Sequence, residues 1–332
     1  MEFRTKIDIP ISNIHITHKS RILMFGSCFI ENIGKLLIDS KFEVNINPFG
    51  ILYNPRSISQ AIRLLLTGKK FTEKDLFEYR NSYHSLWHHG AFSDTNRDEC
   101  LKKINSSLEK AGNTLKDLDF LIITFGTSYV FRHKERNMIV GNCHKLPDDN
   151  FERYRLDIND ITDDWSELLK QIKTINPHLH ILFTVSPIRH IKDGAHNNQL
   201  SKSTLLLAID KLIQTHEDVS YFPSYEIVLD ELRDYRFYNE DMTHLTPTAI
   251  RYIWERFAET YFNKETYKVM NDWQKILLSI RHKPSNAQSD EYNDFLRQTL
   301  LKLEVFNEKY PYICCKEERS NLESILEQSN KE

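Results

Sequence analysis

Short apolar runs alternate with longer segments of helical periodicity along most of the chain. The runs predict buried strands at residues 21–25, 42–46, 120–125, 180–185 and 219–222. The longer segments predict helices that include residues 30–39, 55–66, 99–115, 161–175, 200–216 and 247–262. Strands that alternate with helices of this length form βαβ units, so we expect an α/β fold whose mostly parallel sheet is covered on both faces. In such sheets, ligands bind beyond the carboxyl ends of the strands.

Two segments interrupt this alternation. Residues 76–94 are rich in aromatic residues and histidines, and residues 129–140 place a charged turn between the apolar runs YVF and MIV, which predicts a hairpin. Both segments leave the sheet near the carboxyl ends of its strands. They are therefore candidates for the roof of a pocket, although excursions over the surface explain the pattern equally well.

After about residue 263 the strand pattern stops and only helical periodicity remains, for example in the charged stretch 291–308. We therefore expect a main α/β domain at residues 1–262 and a helical C-terminal extension at residues 263–332. The extension packs either on the main domain or on a second subunit, and the second arrangement would make a homodimer.

The composition is that of a globular protein with a large core, since 40% of the 332 residues are hydrophobic and 27% are charged. The 44 basic and 47 acidic side chains give a formal net charge of −3, which argues against a nucleic-acid-binding surface. Five cysteines without a C-x-x-C pair indicate free thiols in a reducing compartment. The charged N-terminus does not resemble a signal peptide, and no apolar stretch approaches the ~18 residues of a membrane span. We therefore expect a cytoplasmic protein without a membrane or nucleic-acid partner.

Ser27 is a candidate nucleophile. In RILMFGSCFIENIG it follows Gly26 at the end of a predicted strand and begins a predicted helix, where free backbone N–H groups favour negative charge. A serine in that position exposes its hydroxyl above the sheet while its own N–H supports an oxyanion. A plain N-cap is the alternative interpretation, because serine is among the best capping residues. Cys28 is a rival nucleophile, since a helix N-terminus lowers the pKa of a thiol.

Asp241 and His244 are a candidate orienter and general base. They lie three residues apart in the loop sequence FYNEDMTHLTP, before a helix that Thr246 and Pro247 are predicted to begin. An aspartate in such a turn accepts a hydrogen bond from Nδ1 of the imidazole, which leaves Nε2 to take a proton from a hydroxyl. Because D-x-x-H is common by chance, a surface turn is the alternative.

Successive segments of the chain resemble the sequence blocks of the GSCFA family, which is assigned to the SGNH-type serine hydrolases. The segments are FGSCFIENIG, NPFGILYNP, WHHGAFSD, TFGTSYVF, GNCHKLP, TVSPIRH followed by NNQLSK, and YRFYNEDMTH. The resemblance covers about residues 20–260. Two positions depart from the family pattern: Ile30 replaces the usual alanine, and Leu245 replaces a frequent proline. Neither residue belongs to the reacting groups.

The resemblance implies a three-layer α/β/α fold with a flavodoxin-like, mostly parallel five-stranded sheet. It also implies Ser27 as nucleophile, His244 as general base and Asp241 as its orienter. Similar hydrolases complete the oxyanion hole with a glycine N–H after the second strand, which matches Gly50, and with an asparagine after the third. Ser128 occupies that asparagine position in this chain.

Loss of an oxyanion donor costs about 3 kcal/mol of transition-state stabilisation, so we expect another group to fill the role. Beside the N–H of Ser27, the candidates are Thr127, Ser128 and Asn142. Asn142 belongs to the motif GNCH, which returns from the predicted hairpin toward the same edge of the sheet. Packing at the end of the hairpin is the alternative role for this motif.

The side chains predicted to line the substrate pocket are His88, His144, Arg189 and His190. Arg189 follows the fourth predicted strand, where it holds a substrate carboxylate or phosphate or, alternatively, forms an ion pair. His84, His88 and His89 do not form a metal-ligand pattern, because no carboxylate or thiolate repeats at ligand spacing nearby. We therefore expect no metal and no other cofactor.

The expected function is hydrolysis of O-acyl esters through an acyl-enzyme on Ser27, with a small acylated molecule such as a carbohydrate ester as substrate. An O-acyltransferase with the same triad is one alternative, in which a sugar hydroxyl replaces water. A catalytically weak protein that binds glycans or a partner is another, and the missing asparagine after the third strand favours it.

Overall fold

The computed structural model describes residues 4–282, 284 and 289–329. Within these residues the strands are β1 (Arg21–Phe25), β2 (Glu43–Ile46), β3 (Phe77–Tyr79), β4 (Ser82–His84), β5 (Phe120–Phe125), β6 (Tyr129–His133), β7 (Met138–Ile139), β8 (Phe151–Arg155), β9 (His180–Val185) and β10 (Val219–Tyr221). The helices are α1 (Cys28–Asp39), α2 (Pro55–Leu66), α3 (Arg97–Thr114), α4 (Ile158–Ile175), α5 (Gly194–Thr215), α6 (Ser224–Glu226), α7 (Pro247–Tyr261), α8 (Lys264–Ile280), α9 (Asp290–Lys309) and α10 (Lys316–Ser329). None of these helices combines the length and apolarity that a bilayer crossing requires.

Five strands form the central sheet in the order β2–β1–β5–β9–β10. Counted along the chain, this is the order 2-1-3-4-5 of flavodoxin-like folds. Strand β5 pairs in parallel with β1 and with β9, and β9 pairs in parallel with β10. The predicted five-stranded, mostly parallel sheet is therefore confirmed, and each strand lies within one residue of its predicted bounds. Helix bounds were harder to predict, since α5 begins at Gly194 rather than at residue 200.

Both faces of the sheet are covered, because alternate residues of its strands belong to different apolar clusters. On one face, Leu23 and Phe183 share a core with residues of α2, α3, α4 and α5. On the other face, Ile122 lines a small cavity together with Phe29 of α1 and Phe257 of α7. Every residue of β5 and β9 is buried, as expected of strands that lie between two layers of helices. The three-layer α/β/α arrangement is therefore confirmed.

Small antiparallel sheets make up the two segments that interrupt the alternation. Strands β6 and β7 form the hairpin predicted at residues 129–140, and β8 pairs with the other edge of β6. Strands β3 and β4 form a hairpin within residues 76–94, which the sequence did not predict. Its turn residues, Arg80 and Asn81, have φ of 51° and 58°, as a type I′ turn requires. Neither residue is glycine, so the usual sequence signal for this turn is missing.

The chain groups into two compact units. The first comprises the residues up to Ile11 together with residues 21–35 and 44–260, and the second comprises residues 12–20, 36–43 and those from Tyr261 onward. The second unit has its own apolar core, in which the rings of Trp273 and Phe306 lie 5.4 Å apart. The helices expected after residue 263 are present as α8, α9 and α10. The domain boundary at residue 262 and the homodimer stay predictions.

Gly26 has no room for a side chain. Its φ is +153°, and a Cβ would lie 2.7 Å from the carbonyl oxygen of Thr124 in the neighbouring strand. We expect Gly26→Ala to lower the free energy of unfolding by about 3 kcal/mol, because neither backbone can move away. Gly112→Ala in α3 is the matched control, since no atom beyond the adjacent residues and the local backbone of its own helix lies within 4 Å of the new Cβ. It should raise the free energy of unfolding by about 0.5–1 kcal/mol. Urea unfolding measures both, and a Gly26→Ala protein as stable as the wild type would contradict the packing described.

Candidate active site

Three strands of the central sheet end side by side. Strand β1 is followed by Gly26 and Ser27, β5 by Gly126, and β9 by Ser186. Because β5 pairs in parallel with both β1 and β9, these residues lie at one edge of the sheet. It is the carboxyl edge, where ligands bind in folds of this type.

Ser27 lies at this edge and is buried, with 2% of its surface exposed. Its hydroxyl donates a hydrogen bond to Oγ of Ser186 at 3.1 Å and accepts one from the N–H of Phe29 at 3.3 Å. The N–H of Ile30 donates to the carbonyl oxygen of Ser27 at 2.9 Å. The last two bonds are those of a helix cap. Ser27 therefore caps α1 at the same time as it stands where a nucleophile is expected.

Asp241 and His244 form the pair expected from their spacing. Nδ1 of His244 lies 2.5 Å from one carboxylate oxygen of Asp241, and the N–H groups of Thr243 and His244 donate to the other oxygen at 2.9 Å. These hydrogen bonds lower the pKa of Asp241 to about 2, and the bond from the His244 side chain has the largest effect. The ionised carboxylate keeps the imidazole proton on Nδ1. Among the described residues Nε2 has no hydrogen-bond partner, and half of the His244 side chain is exposed.

Arg189 ties the turn that carries His244 to the edge of the sheet. It follows Ser186 by three residues, and its guanidinium donates to the carbonyl oxygen of Met242 at 3.2 Å. The guanidinium also lies 4.7 Å from the centre of the Tyr238 ring. In the described part of the chain Arg189 makes no salt bridge, so the ion pair considered as its alternative role is not formed.

The thiol of Cys28, the residue after Ser27, is buried and lies within the electrostatic influence of two carboxylates. Its pKa is raised by burial first, then by the charge of Glu31 and, to a smaller extent, by that of Asp241. This direction contradicts the expectation that the helix N-terminus activates Cys28. Within the described residues no hydrogen bond joins Ser27 to His244, and the catalytic roles of both segments stay predictions.

A cavity of about 370 Å³ lies beside Arg189. Its lining includes Asp230, Arg233, Tyr235 and Tyr238, so its wall carries charged and aromatic side chains. Arg189 links this cavity to the turn that carries His244, because it lines the cavity and donates to Met242.

Gly50 is not a free donor. Its N–H donates to the carbonyl oxygen of Asn47 at 2.7 Å in a tight turn, and its φ is +75°. A Cβ at this position would overlap that of His89. The side chain of Asn47 in turn accepts the N–H of Gly26 at 2.9 Å. The turn therefore fixes the residue before Ser27, which differs from the predicted role of Gly50 as an oxyanion donor.

Thr127 and Ser128 are also occupied. The N–H of Thr127 donates to the carbonyl oxygen of Tyr53 at 3.0 Å, and that of Ser128 donates to Oγ of Ser201 at 2.8 Å. Both hydroxyls lie 3.1 Å from the same Ser201 oxygen. Because α5 holds these groups through Ser201, the structure argues against the predicted oxyanion role for either residue.

Asn142 has an amide N–H group available. Its Oδ1 accepts the N–H of His144 at 2.8 Å, which orients the amide, and Nδ2 makes no hydrogen bond to any described residue. The preceding Gly141 packs on Leu52, since a Cβ there would lie 2.9 Å from the Leu52 side chain. The N–H of Leu52 donates to the carbonyl oxygen of Gly26 at 3.2 Å. Asn142 is therefore connected through Gly141 and Leu52 to the residue before Ser27, and it retains a donor that the other side-chain candidates have used.

His88 and His144, which were predicted to line the substrate pocket, are both buried. The ring of His88 stacks on Phe49, and its Nδ1 lies 2.9 Å from Oγ of Ser85. Nε2 of His144 lies 2.8 Å from the carbonyl oxygen of Ser85. Burial lowers the pKa of His88 to about 3 and that of His144 to about 4. These histidines therefore pack the hairpin segment, and the described residues contain no group of three potential metal ligands.

His190 lies closer to the sheet edge. Its N–H donates to Oδ1 of Asn198 at 3.0 Å, and its ring meets that of Tyr53 edge-on at 5.8 Å. Burial lowers the pKa of His190 to about 4, so the ring is neutral at physiological pH. Of the predicted pocket residues, Arg189 and His190 are the pair that the structure keeps beside the candidate site.

Two family models match the chain. The model described as the GSCFA family matches residues 21–257, well over half of the chain, and that of the GSCFA domain protein, C-terminal domain, matches residues 273–328. The chain belongs to the GSCFA family. No curated protein sequence matches it.

Two solved structures are similar to this GSCFA protein. A family 3 carbohydrate esterase from Clostridium thermocellum is 11% identical, with a TM-score of 0.32, over 76% of this chain and 97% of that chain. The acetyl xylan esterase Est2A from the rumen bacterium Butyrivibrio proteoclasticus is 10% identical, with a TM-score of 0.37, over 75% of this chain and 64% of that chain.

Ser186 and Lys202 are candidates that the sequence analysis of this GSCFA protein missed. Lys202 in α5 is 1% exposed, and its Nζ donates to the carbonyl oxygens of Gly126 and Ser186, each at 2.6 Å. Burial lowers the pKa of Lys202 to about 7. A sequence signal existed, because Asn198, Ser201 and Lys202 have the i, i+3, i+4 spacing of one helix face and are all buried.

Because the buried histidines are neutral in the folded protein, we expect its stability to decrease at acidic pH. The folded protein keeps His144 neutral down to about pH 4, whereas an unfolded chain protonates histidine near its ordinary pKa of 6.5. The unfolded state therefore binds more protons between these values, and the stability that His144 contributes above pH 6.5 is lost as the pH falls toward 4. In His144→Gln, we expect the pH dependence of the unfolding free energy in this window to decrease by up to about 1.4 kcal/mol per pH unit. His15→Gln, at an exposed position, is the control, and equal slopes in all three proteins would refute this prediction.

Proposed function

We propose that this GSCFA protein is a serine hydrolase of the SGNH type that cleaves O-acyl esters through an acyl-enzyme. The observation that carries the proposal is the imidazole of His244, whose Nδ1 is held by ionised Asp241 while Nε2 has no partner among the described residues. An imidazole in this state is suited to take a proton from a hydroxyl. Ser27, at the adjoining edge of the sheet, supplies that hydroxyl.

In the proposed reaction, Oγ of Ser27 attacks the ester carbonyl while Nε2 of His244 takes the hydroxyl proton. The resting hydroxyl donates to Ser186, so it must first turn toward Nε2. Catalytic hydrogen bonds are often long or misaligned before substrate binds. The imidazolium then gives its proton to the leaving alkoxide oxygen, and the acyl group stays on Ser27. Water that loses a proton to the same imidazole releases the acid and restores the serine.

The negative charge of the tetrahedral intermediate requires hydrogen-bond donors. The N–H of Ser27 at the start of α1 is one proposed donor, since no described residue accepts a hydrogen bond from it and helix N-termini favour anions. The amide of Asn142 is the second, because Nδ2 is unused and Oδ1 fixes its orientation. In this proposal Asn142 takes the role of the oxyanion-hole asparagine of similar hydrolases, whose position Ser128 occupies in this chain.

The cavity beside Arg189 is the proposed binding site for the non-reacting part of the substrate. Arginine, aspartate and tyrosine side chains on its wall suit a polar molecule, such as a carbohydrate ester, better than a long acyl chain. Arg189 is well situated to orient that molecule, because it also binds the turn next to His244.

A second candidate function is binding of a glycan or a partner with little catalysis. The burial of Ser27 and its hydrogen bond to Ser186 instead of His244 favour this alternative. A folded protein that binds glycans without reacting with a fluorophosphonate probe would support it.

Ser27→Ala should abolish turnover of an activated acetyl ester, with a loss of about 10⁴-fold or more, because no group can take over the nucleophilic attack. The variant should also lose covalent labelling by a fluorophosphonate. Cys28→Ala is the matched control at the next position, and it should retain labelling because burial disfavours the Cys28 thiolate. Labelling that persists in Ser27→Ala and disappears in Cys28→Ala would transfer the nucleophilic role to the cysteine.

Asp241→Asn should slow ester turnover by at least about 100-fold, since an amide no longer stabilises the imidazolium and disfavours the useful tautomer. The fold should remain intact, because both side chains of the pair are half exposed. Glu240→Gln removes the neighbouring acidic charge and is the control, for which we expect nearly unchanged turnover. Initial-rate measurements across the pH range compare the three proteins, and superimposable profiles would show that Asp241 has no role in catalysis.

A further inference from the structure

Lys202 is a buried lysine at the candidate site that the reaction described above does not use. Its Nζ donates to the carbonyl oxygens of Gly126 and Ser186, the residues that directly follow β5 and β9. Lys202 thus joins the ends of two neighbouring strands at the edge where Ser27 lies. A buried ammonium loses its hydration, so a cation here is costly unless the surroundings compensate for that loss.

No carboxylate compensates the charge of Lys202 in the described part of the chain. From α6, the ring of Tyr225 faces Nζ at 5.8 Å, and the Tyr225 hydroxyl donates to Gln199. His190, in the loop after β9, is also exposed to this charge, since the positive charge of Lys202 is one of the causes that lower the pKa of His190. The partners of Nζ are therefore neutral carbonyl groups, and the positive potential of the ammonium is not cancelled locally.

Ser186 connects this ammonium to the nucleophile. The Ser186 carbonyl oxygen accepts from Lys202, and its hydroxyl oxygen accepts from Ser27 at 3.1 Å. The neighbouring Ser201 holds Ser128 in the loop after β5. Helix α5 therefore holds the loops after β5 and β9, on one side of Ser27, and Lys202 is the member of this group that carries charge.

We propose that Lys202 is a positioning residue of the acyl-transfer site. It holds Ser27 through Ser186, and its uncompensated positive charge stabilises the negative charge that develops at Ser27 during attack. The inference rests on the proposed function. A fixed charge in a water-excluded position assists such a reaction without reorganisation. A neutral amine still donates to both carbonyl groups, so loss of the proton removes the charge while the hydrogen bonds remain.

The experiment compares the rate at which a fluorophosphonate labels Ser27 in the wild type and in Lys202→Met, from pH 6 to pH 9, by mass spectrometry. Burial lowers the pKa of Lys202 to about 7, so the wild type loses the charge in this range while methionine never carries it. We expect the wild type to react at least about tenfold faster than the variant at pH 6 and the ratio to fall about tenfold by pH 9. Using the ratio removes the pH dependence that both proteins share.

Lys211→Met on the exposed side of the same helix is the matched control, and its labelling rate should follow that of the wild type at each pH. A rate ratio between wild type and Lys202→Met that does not change with pH, whatever its size, overturns the inference, because it assigns Lys202 a structural role alone. If Lys202→Met does not fold, Lys202→Gln replaces it.

The same data separate the two proposals. Absence of Ser27 labelling in the wild type at every pH overturns the proposed function and this inference with it. Labelling of Ser27 with a pH-independent rate ratio leaves the proposed function standing and removes Lys202 from it.

Discussion

Parallel pairing of β5 with β1 and β9 is the constraint on which the rest of the site depends. It brings the carboxyl ends of three strands together, and each strand is followed there by a glycine or a serine, at Gly26, Gly126 and Ser186. At Gly26 the neighbouring strand leaves no space for a Cβ. Small residues thus let the backbones approach at the edge, and helix α5 fixes the loops that leave it.

Much of this arrangement could be predicted because its causes are local or periodic. The central strands are buried on both faces, which produces nearly continuous apolar runs with clear bounds. Asp241 and His244 lie three residues apart, so their hydrogen bond follows from the geometry of one turn. The segments that resemble the GSCFA family extended this prediction, since their order indicated both the sheet and the candidate residues.

What the sequence did not predict depends on contacts between distant segments. Ser27 donates to Ser186, which lies 159 positions later, and no spacing rule indicates that partner. Ser128 was assigned to the oxyanion hole by its position in a motif, whereas the structure shows that Ser201 of α5 takes up its hydroxyl and its N–H. Strand β8 has three charged residues among its five, so it lacks the pattern of a buried strand, and it becomes a strand through pairing with β6.

The two halves of the proposed site are built on supports of different kinds. Ser27 belongs to the interior of the sheet, where its neighbours are backbone and buried side chains, whereas His244 stands on an exposed turn that Arg189 holds by a single hydrogen bond to a carbonyl group. A side chain at Gly26, the residue before Ser27, therefore destabilises the scaffold, whereas the half-exposed side chains of the turn can be replaced at little cost in folding. The proposed chemistry accordingly depends on one short exposed segment whose sequence can vary while the architecture is kept.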